Sequence, residues 1–333
     1  MNFTWKGVIM RKIVLLSAFL LGGCGATLST QVSTFGETTS AITEKVDGVM
    51  DEYNKAALRR TFTDYAATFN SPGAPQLTST ELAKISKPIT PEQKKSFALY
   101  RANKALGAYA SALAGLANAG GRDEIDAAAA KLYGSMVSLN EQYQTLKASD
   151  TELFSKEDFA SFSTVVAAIG HAVVEKKRRE ALKEIVIQAD PSIALICDEM
   201  VAQLESAGLE DSIAASRAYV LAEEIMDYNA RVKASSTLEW KRNQIERLYE
   251  LQQDVITSKL LIQQTQKAIV AIKQAHAKVA EELSKNRFTS AEIAAAVGQL
   301  KDLKDHYNDF EALLISCAKV SANEHGVLSC DDK

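Results

Sequence analysis

Residues 248–283 read LYELQQDVITSKLLIQQTQKAIVAIKQAHAKVAEEL. Within them Leu248, Leu251, Val255, Ser258, Ile262, Thr265, Ile269, Ile272, His276, Val279 and Leu283 follow one another at alternating steps of three and four. The mean period is therefore 3.5 rather than 3.6, the spacing of a helix that keeps one seam against its neighbours and winds left-handedly around them. A capping box at Ser236 and Glu239 marks the start, and the pattern runs to about Asn286. That gives about 50 residues and, at about 1.5 Å per residue, a rod of about 75 Å. No proline follows Pro191, and Gly298 is the only glycine between Leu209 and His325, so nothing in this half breaks a long helix. The preceding segment, with Leu221, Ile225, Tyr228 and Val232, is expected to join the rod without a break.

The same rhythm extends in both directions. Thr289 and Glu292 cap a last helix bearing Ile293, Ala296, Leu300, Leu303, Tyr307, Phe310, Leu314 and Cys317, expected to pair antiparallel with the rod across a turn at 285–290. Upstream, Leu28 to Tyr53 carries one stripe, continued out of phase through Leu58, Phe62, Tyr65 and Phe69. Four of the five prolines fall between Pro72 and Pro91, so residues 71–89 read as the main irregular connection. Thr90, Pro91 and Gln93 restart a helix whose stripe from Leu99 to Leu116 stops at Gly120-Gly121. A partner stripe from Ile125 to Leu146 completes an αα-hairpin. Ser155 and Asp158 open a further helix through Phe159, Phe162, Val166 and Val173, followed by a charged turn at Glu175 to Glu180. Asp190-Pro191 is expected to cap a separate short helix that ends near Gly208. The resulting expectation is an all-α protein: an elongated antiparallel bundle with long, coiled-coil-like helices, forming a single domain over 28–333.

The first 24 residues carry a different kind of signal. Lys6, Arg11 and Lys12 precede the apolar run Ile13 to Leu21, and Leu21-Gly22-Gly23-Cys24 follows. A run of nine residues is too short to span a bilayer. This stretch resembles the signal peptide of bacterial lipoproteins, whose lipobox is an aliphatic residue, two small ones and a cysteine. The resemblance implies removal of residues 1–23, a diacylglycerol thioether and an acylated amine, such as palmitate, on Cys24, and a short tether over 24–27. Two or more acyl chains hold a protein stably on a membrane where one holds it marginally. Gly25, where an Asp would signal inner-membrane retention, points by the same resemblance to the outer membrane, with the mature protein facing the periplasm. Met10 begins an equally ordinary signal and is the alternative start to Met1.

Composition narrows the function. With 38 basic against 42 acidic residues, the chain has a formal charge of −4, and loss of the leader's three basic residues leaves the remainder more acidic still. That argues against nucleic acid as a partner. The four histidines, His171, His276, His306 and His325, do not stand three or four residues from one another, so helical metal-site spacing is missing and no cofactor is implied. Together with Ser258 and Thr265, His276 reads as a polar seam residue that fixes register. No phosphate-binding glycine loop or nucleophile elbow stands out. Beyond Cys24 there are three cysteines. Cys317 and Cys330 are the expected disulfide, on sequence proximity and a Gly326-containing tail able to fold back, with Cys197 as the rival partner for either.

The leading expectation is a non-enzymatic, lipid-anchored envelope protein that binds another envelope protein through its helix surfaces, acting as a binding or scaffold module. An immunity or inhibitor role is one form of this. The alternative is a membrane-active, pore-forming type of protein that inserts residues 159–174, with the basic run Lys176, Lys177, Arg178 and Arg179 contacting anionic headgroups.

Overall fold

The computed structural model describes residues 28–69, 78–80, 91–170, 175–205, 209–233, 237–287, 291–316, 320–322 and 328–330. The fold is all-α. The described helices are α1 (Leu28–Phe69), α2 (Pro91–Asn118), α3 (Arg122–Lys147), α4 (Lys156–Gly170), α5 (Glu175–Glu205), α6 (Leu209–Val232), α7 (Leu238–Ser284) and α8 (Ala291–Ser316). A two-stranded antiparallel ribbon follows, β1 (Val320–Ala322) with β2 (Leu328–Cys330), in which Val320 faces Cys330. The connection read at 71–89 lies almost wholly outside the described residues.

The heptad stripe is the spine of the molecule. From Ser258 to Leu283 each of its members is buried, while Leu248, Leu251 and Val255 are only half-buried. α7 thus begins beside few neighbours and ends among many. Thr237, one residue later than the expected cap, accepts from the Trp240 amide and opens the helix. At the other end Asn286 takes a left-handed conformation at φ 57°, and the Arg287 amide bonds back to the Glu282 carbonyl. Asn is among the few residues that adopt this conformation readily, which is why the helix stops there.

Cross-helix bonds fix the directions. Asn118 donates to Ser33 and Asn103 donates to the Thr43 carbonyl, so α2 runs antiparallel to α1. Lys183 meets Asn286, Asp190 meets His276 and Asp198 meets Lys273, so α5 and α7 are antiparallel. Arg217 reaches Ser258 and Glu224 meets Arg247, and these bonds fold α6 back along α7. The expected continuous rod through 221–232 is therefore corrected: α6 ends at Val232 and turns into a hairpin, with Tyr228 stacked on Trp240 across it. α1 and α2 approach closely because Gly36 and Gly107 leave room. A Cβ on Gly36 would sit 2.3 Å from the Ala110 carbonyl oxygen, and one on Gly107 would sit 2.3 Å from Thr43 Oγ1.

Several local signals hold. Gly120-Gly121 turns the α2–α3 hairpin, with the Gly120 amide donating to Glu124. Ser155 and Asp158 form a reciprocal capping box at the start of α4. Two expectations fail. Glu175 to Glu180 is no turn, because it forms the first turns of α5. Asp190-Pro191 does not start a new helix either, since α5 passes through Pro191. A proline there removes the donor that the Ile187 carbonyl would otherwise use, which disfavours a helix interior. Burial outweighs it: Leu182, Ile185, Val186 and Ala189 before it and Ile193, Ile196 and Met200 after it all enter one core. Ser192 also ties the same turn to the Leu153 carbonyl at 2.5 Å.

Candidate functional site

Two features stand out, one inside the bundle and one at its open end. The inner one is a polar relay through the core. His276 Nε2 lies 2.9 Å from Tyr109 Oη, and His276 Nδ1 lies 2.8 Å from Asp190 Oδ1. A carboxylate only accepts, so Nδ1 carries the proton that goes to Asp190, and a singly protonated ring then leaves Nε2 to accept from the phenol. Burial pushes the Tyr109 phenol well above its ordinary pKa, so it stays a donor. Phe35 of α1 closes the remaining side, edge-on to the imidazole at 5.7 Å between ring centres. Four helices, α1, α2, α5 and α7, meet at this one ring.

The order acid, imidazole, hydroxyl has the connectivity of a nucleophilic relay. Its setting is that of a lock. Tyr109 and His276 are each 1% exposed, and neither of the cavities described below is lined by any member of the three. What the arrangement does chemically is satisfy three polar groups that only one helix register brings together. The sequence reading placed His276 on the seam as a register device but missed its partners. Tyr109 looked like stripe, and Asp190 looked like a cap.

The other polar seam residues are less alike. Ser258 accepts from Arg217, a buried arginine that also donates to the Asp254 carbonyl at 2.7 Å, so this seam position too is tied across helices. Thr265 donates to the Leu261 carbonyl of its own helix. At the far end of α7 the buried Glu282 carboxylate sits among Lys278, Lys285 and Arg287. Neighbouring Glu281 is held down to about 2 by hydrogen bonds from Lys285 and Lys278.

The outer feature is where α7 has fewest neighbours. Arg59, Phe62 and Ala66 of α1, Val220 and Glu224 of α6, and Arg247, Leu251 and Asp254 of α7 line an open cleft of about 860 Å³. Arg247 pairs with Glu224 at 2.5 Å and Arg59 approaches Asp254 at 4.0 Å, so the charges close the rim while Phe62 remains exposed in the mouth. Beside it Ile225 and Met226 of α6 and Leu238, Ile245, Tyr249 and Ile256 of α7 are exposed. Large apolar side chains gathered at one end of a molecule mark an interaction surface more often than scattered ones do. A smaller cavity of about 300 Å³ lies between α3 and α4, around Tyr133, Met136, Phe162 and Val166.

The remaining predicted positions are distributed as follows. Cys24 and Cys317 lie outside the described residues. Cys330 ends β2, and no cysteine pair at disulfide distance occurs among the described residues. Cys197 is a free, buried thiol next to Met200's turn, not a disulfide partner, and burial pushes it up to about 12. Of the basic run, Lys176 and Lys177 are exposed. Arg178 is half-buried, and its Nη2 donates to the Ala119 carbonyl at 2.6 Å, where a cation complements the C-terminal end of α2. Arg179 is half-buried. The stretch that the membrane-active alternative would insert, 159–174, has Phe162 and Val165 in the core, and no described helix is long and apolar enough to cross a membrane. His171 and His325 lie outside the described residues, and His306 is described in its backbone only. Among the described residues no three His, Cys, Asp or Glu side chains gather as a metal cage.

Compared with protein-family models, curated proteins and solved structures, the chain matches none.

Proposed function

We propose that this is a lipid-anchored binding module of the bacterial envelope: a helical bundle held through Cys24 at the outer membrane that engages another envelope protein with its open end, without catalysing a reaction. The observation that carries this reading is the contrast along α7. Its second half is enclosed by other helices around a locked polar core, while its first half, with α1 and α6, presents a cleft and a cluster of exposed apolar side chains. The lipobox supplies the tether, and the acidic balance of the chain favours a protein partner over nucleic acid. Core burial of Phe162 and Val165 favours this reading over a pore-forming one.

Fractionation tests the anchor. Cys24→Ser is expected to move the protein from the membrane pellet to the soluble fraction and to abolish metabolic labelling with palmitate. Addition of the chain from residue 25 onward to dye-loaded liposomes is expected to release no dye. Leakage comparable to that of a lytic control would replace this reading with the membrane-active one.

A further inference from the structure

The outward face of α7 changes character partway along its length. Leu238, Ile245, Tyr249 and Ile256 follow at steps of seven, four and seven, and are 82%, 53%, 51% and 43% exposed. Further along the helix the exposed positions are Gln263, Lys267 and Gln274, with Lys278 half-buried. A solvent face has no need of apolar residues, and the second half of the same helix shows what an ordinary one looks like. With Arg242 and Gln252 in the intervening places, the apolar residues form a second 3/4 stripe, on the flank of α7 beside its seam. It spans about 27 Å at about 1.5 Å per residue. A stripe of this spacing is the half-interface of a helix pair.

One border of the stripe is acidic. Glu239, Glu246 and Glu250 run along it, all exposed, while the other border carries Lys241 and the half-buried Leu248 and Val255. This charge pattern selects among occupants. A second copy packed antiparallel would bring Glu246 against Glu246 in the edge that flanks the core, and a parallel copy would stack Arg242 on Arg242 within it. An anionic membrane would be repelled by the acidic row. An apolar helix edge carrying lysines or arginines is complementary on both counts.

Building on the binding reading above, we propose that residues 238–256 of α7 dock an amphipathic helix of a partner protein whose apolar row is bordered by basic side chains facing Glu239, Glu246 and Glu250. The full chain in neutral detergent is titrated with two dye-labelled helical peptides that share a leucine row at 3/4 spacing and differ only in a lysine or a glutamate border. The lysine-bordered peptide binds about tenfold tighter at low salt, and the difference shrinks as salt rises. Replacing the three glutamates (Glu239→Gln, Glu246→Gln and Glu250→Gln together) brings the two affinities together. Ile245→Ser with Tyr249→Ser weakens both, while Lys267→Ser on the polar half changes neither. These positions are exposed, and an unchanged helical spectrum keeps folding out of the comparison.

Equal affinities for the two peptides would overturn the charge assignment, and insensitivity to Ile245→Ser with Tyr249→Ser would overturn the docking face. Binding of neither peptide, or a dimer in sedimentation that Ile245→Ser dissolves, would overturn the partner helix itself. In each case the tethered-module reading still stands or falls on Cys24→Ser and the liposome assay, so the two failures are distinguishable.

Discussion

At the scale of single residues, His276 ties four helices together. Its ring receives a hydrogen bond from Tyr109 and gives one to Asp190, and removing one partner leaves a buried group unpaired, which costs about 1–3 kcal/mol. Tyr109→Phe is therefore expected to lower stability in urea by about that amount, with little change in the slope that reports exposed surface. The histidine's role was legible because a polar side chain interrupts an otherwise apolar seam. Its partners were not, because they lie 167 and 86 residues away along the chain and only the packed helices bring them together. Cys197 gives a second check. With its thiol buried and pushed up to about 12, it should resist alkylation of the native protein at pH 8 and react once urea unfolds the chain, as read by peptide mass mapping. Rapid labelling of the native protein would contradict its place in the core. Glu281 supplies the pH dependence. Its pKa is lowered by two lysines, so its contribution to stability is complete above about 4.5 and is lost as pH falls toward about 2. Glu281→Gln should flatten that acid limb in urea midpoints taken across the range.

At the scale of elements the informative comparison is between glycines. Gly36 lies under α2, where an added methyl group would meet the Ala110 carbonyl, whereas Gly134 in α3 has nothing within 4 Å of the same position. Gly36→Ala is expected to destabilise by about 1–3 kcal/mol through overpacking. Gly134→Ala is expected to stabilise by about 0.5–1 kcal/mol through helix propensity. Thermal melts of the two variants decide it; equal shifts would mean that α1 and α2 do not approach as described. The helices themselves were readable from apolar spacing, and so were the glycine turn at 120–121 and the capping box at Ser155. The misreadings share one cause. Pro191, the charges at 175–180 and the absence of proline or glycine between α6 and α7 are local cues, and in each case the number of apolar side chains that gain a core outweighs the local preference.

At the scale of the whole molecule, one long helix belongs to two environments. Where α5, α2 and α8 pack on it, its seam is buried and tied by polar contacts; where α1 and α6 line it, it opens a cleft and shows apolar side chains on its outer face. The buried seam was evident in the sequence from the start. The outer stripe was equally present at 238, 245, 249 and 256, but it became meaningful only once the fold showed these side chains exposed. The central claim is that this open end meets another protein. Its most direct test is to place a photocrosslinking residue at position 245, and separately at position 267, in the full chain expressed in its own cells, and to irradiate intact envelopes. The account predicts a discrete adduct with a different protein from position 245 and none from position 267. Equal adducts from both positions, or no adduct from position 245, would contradict it.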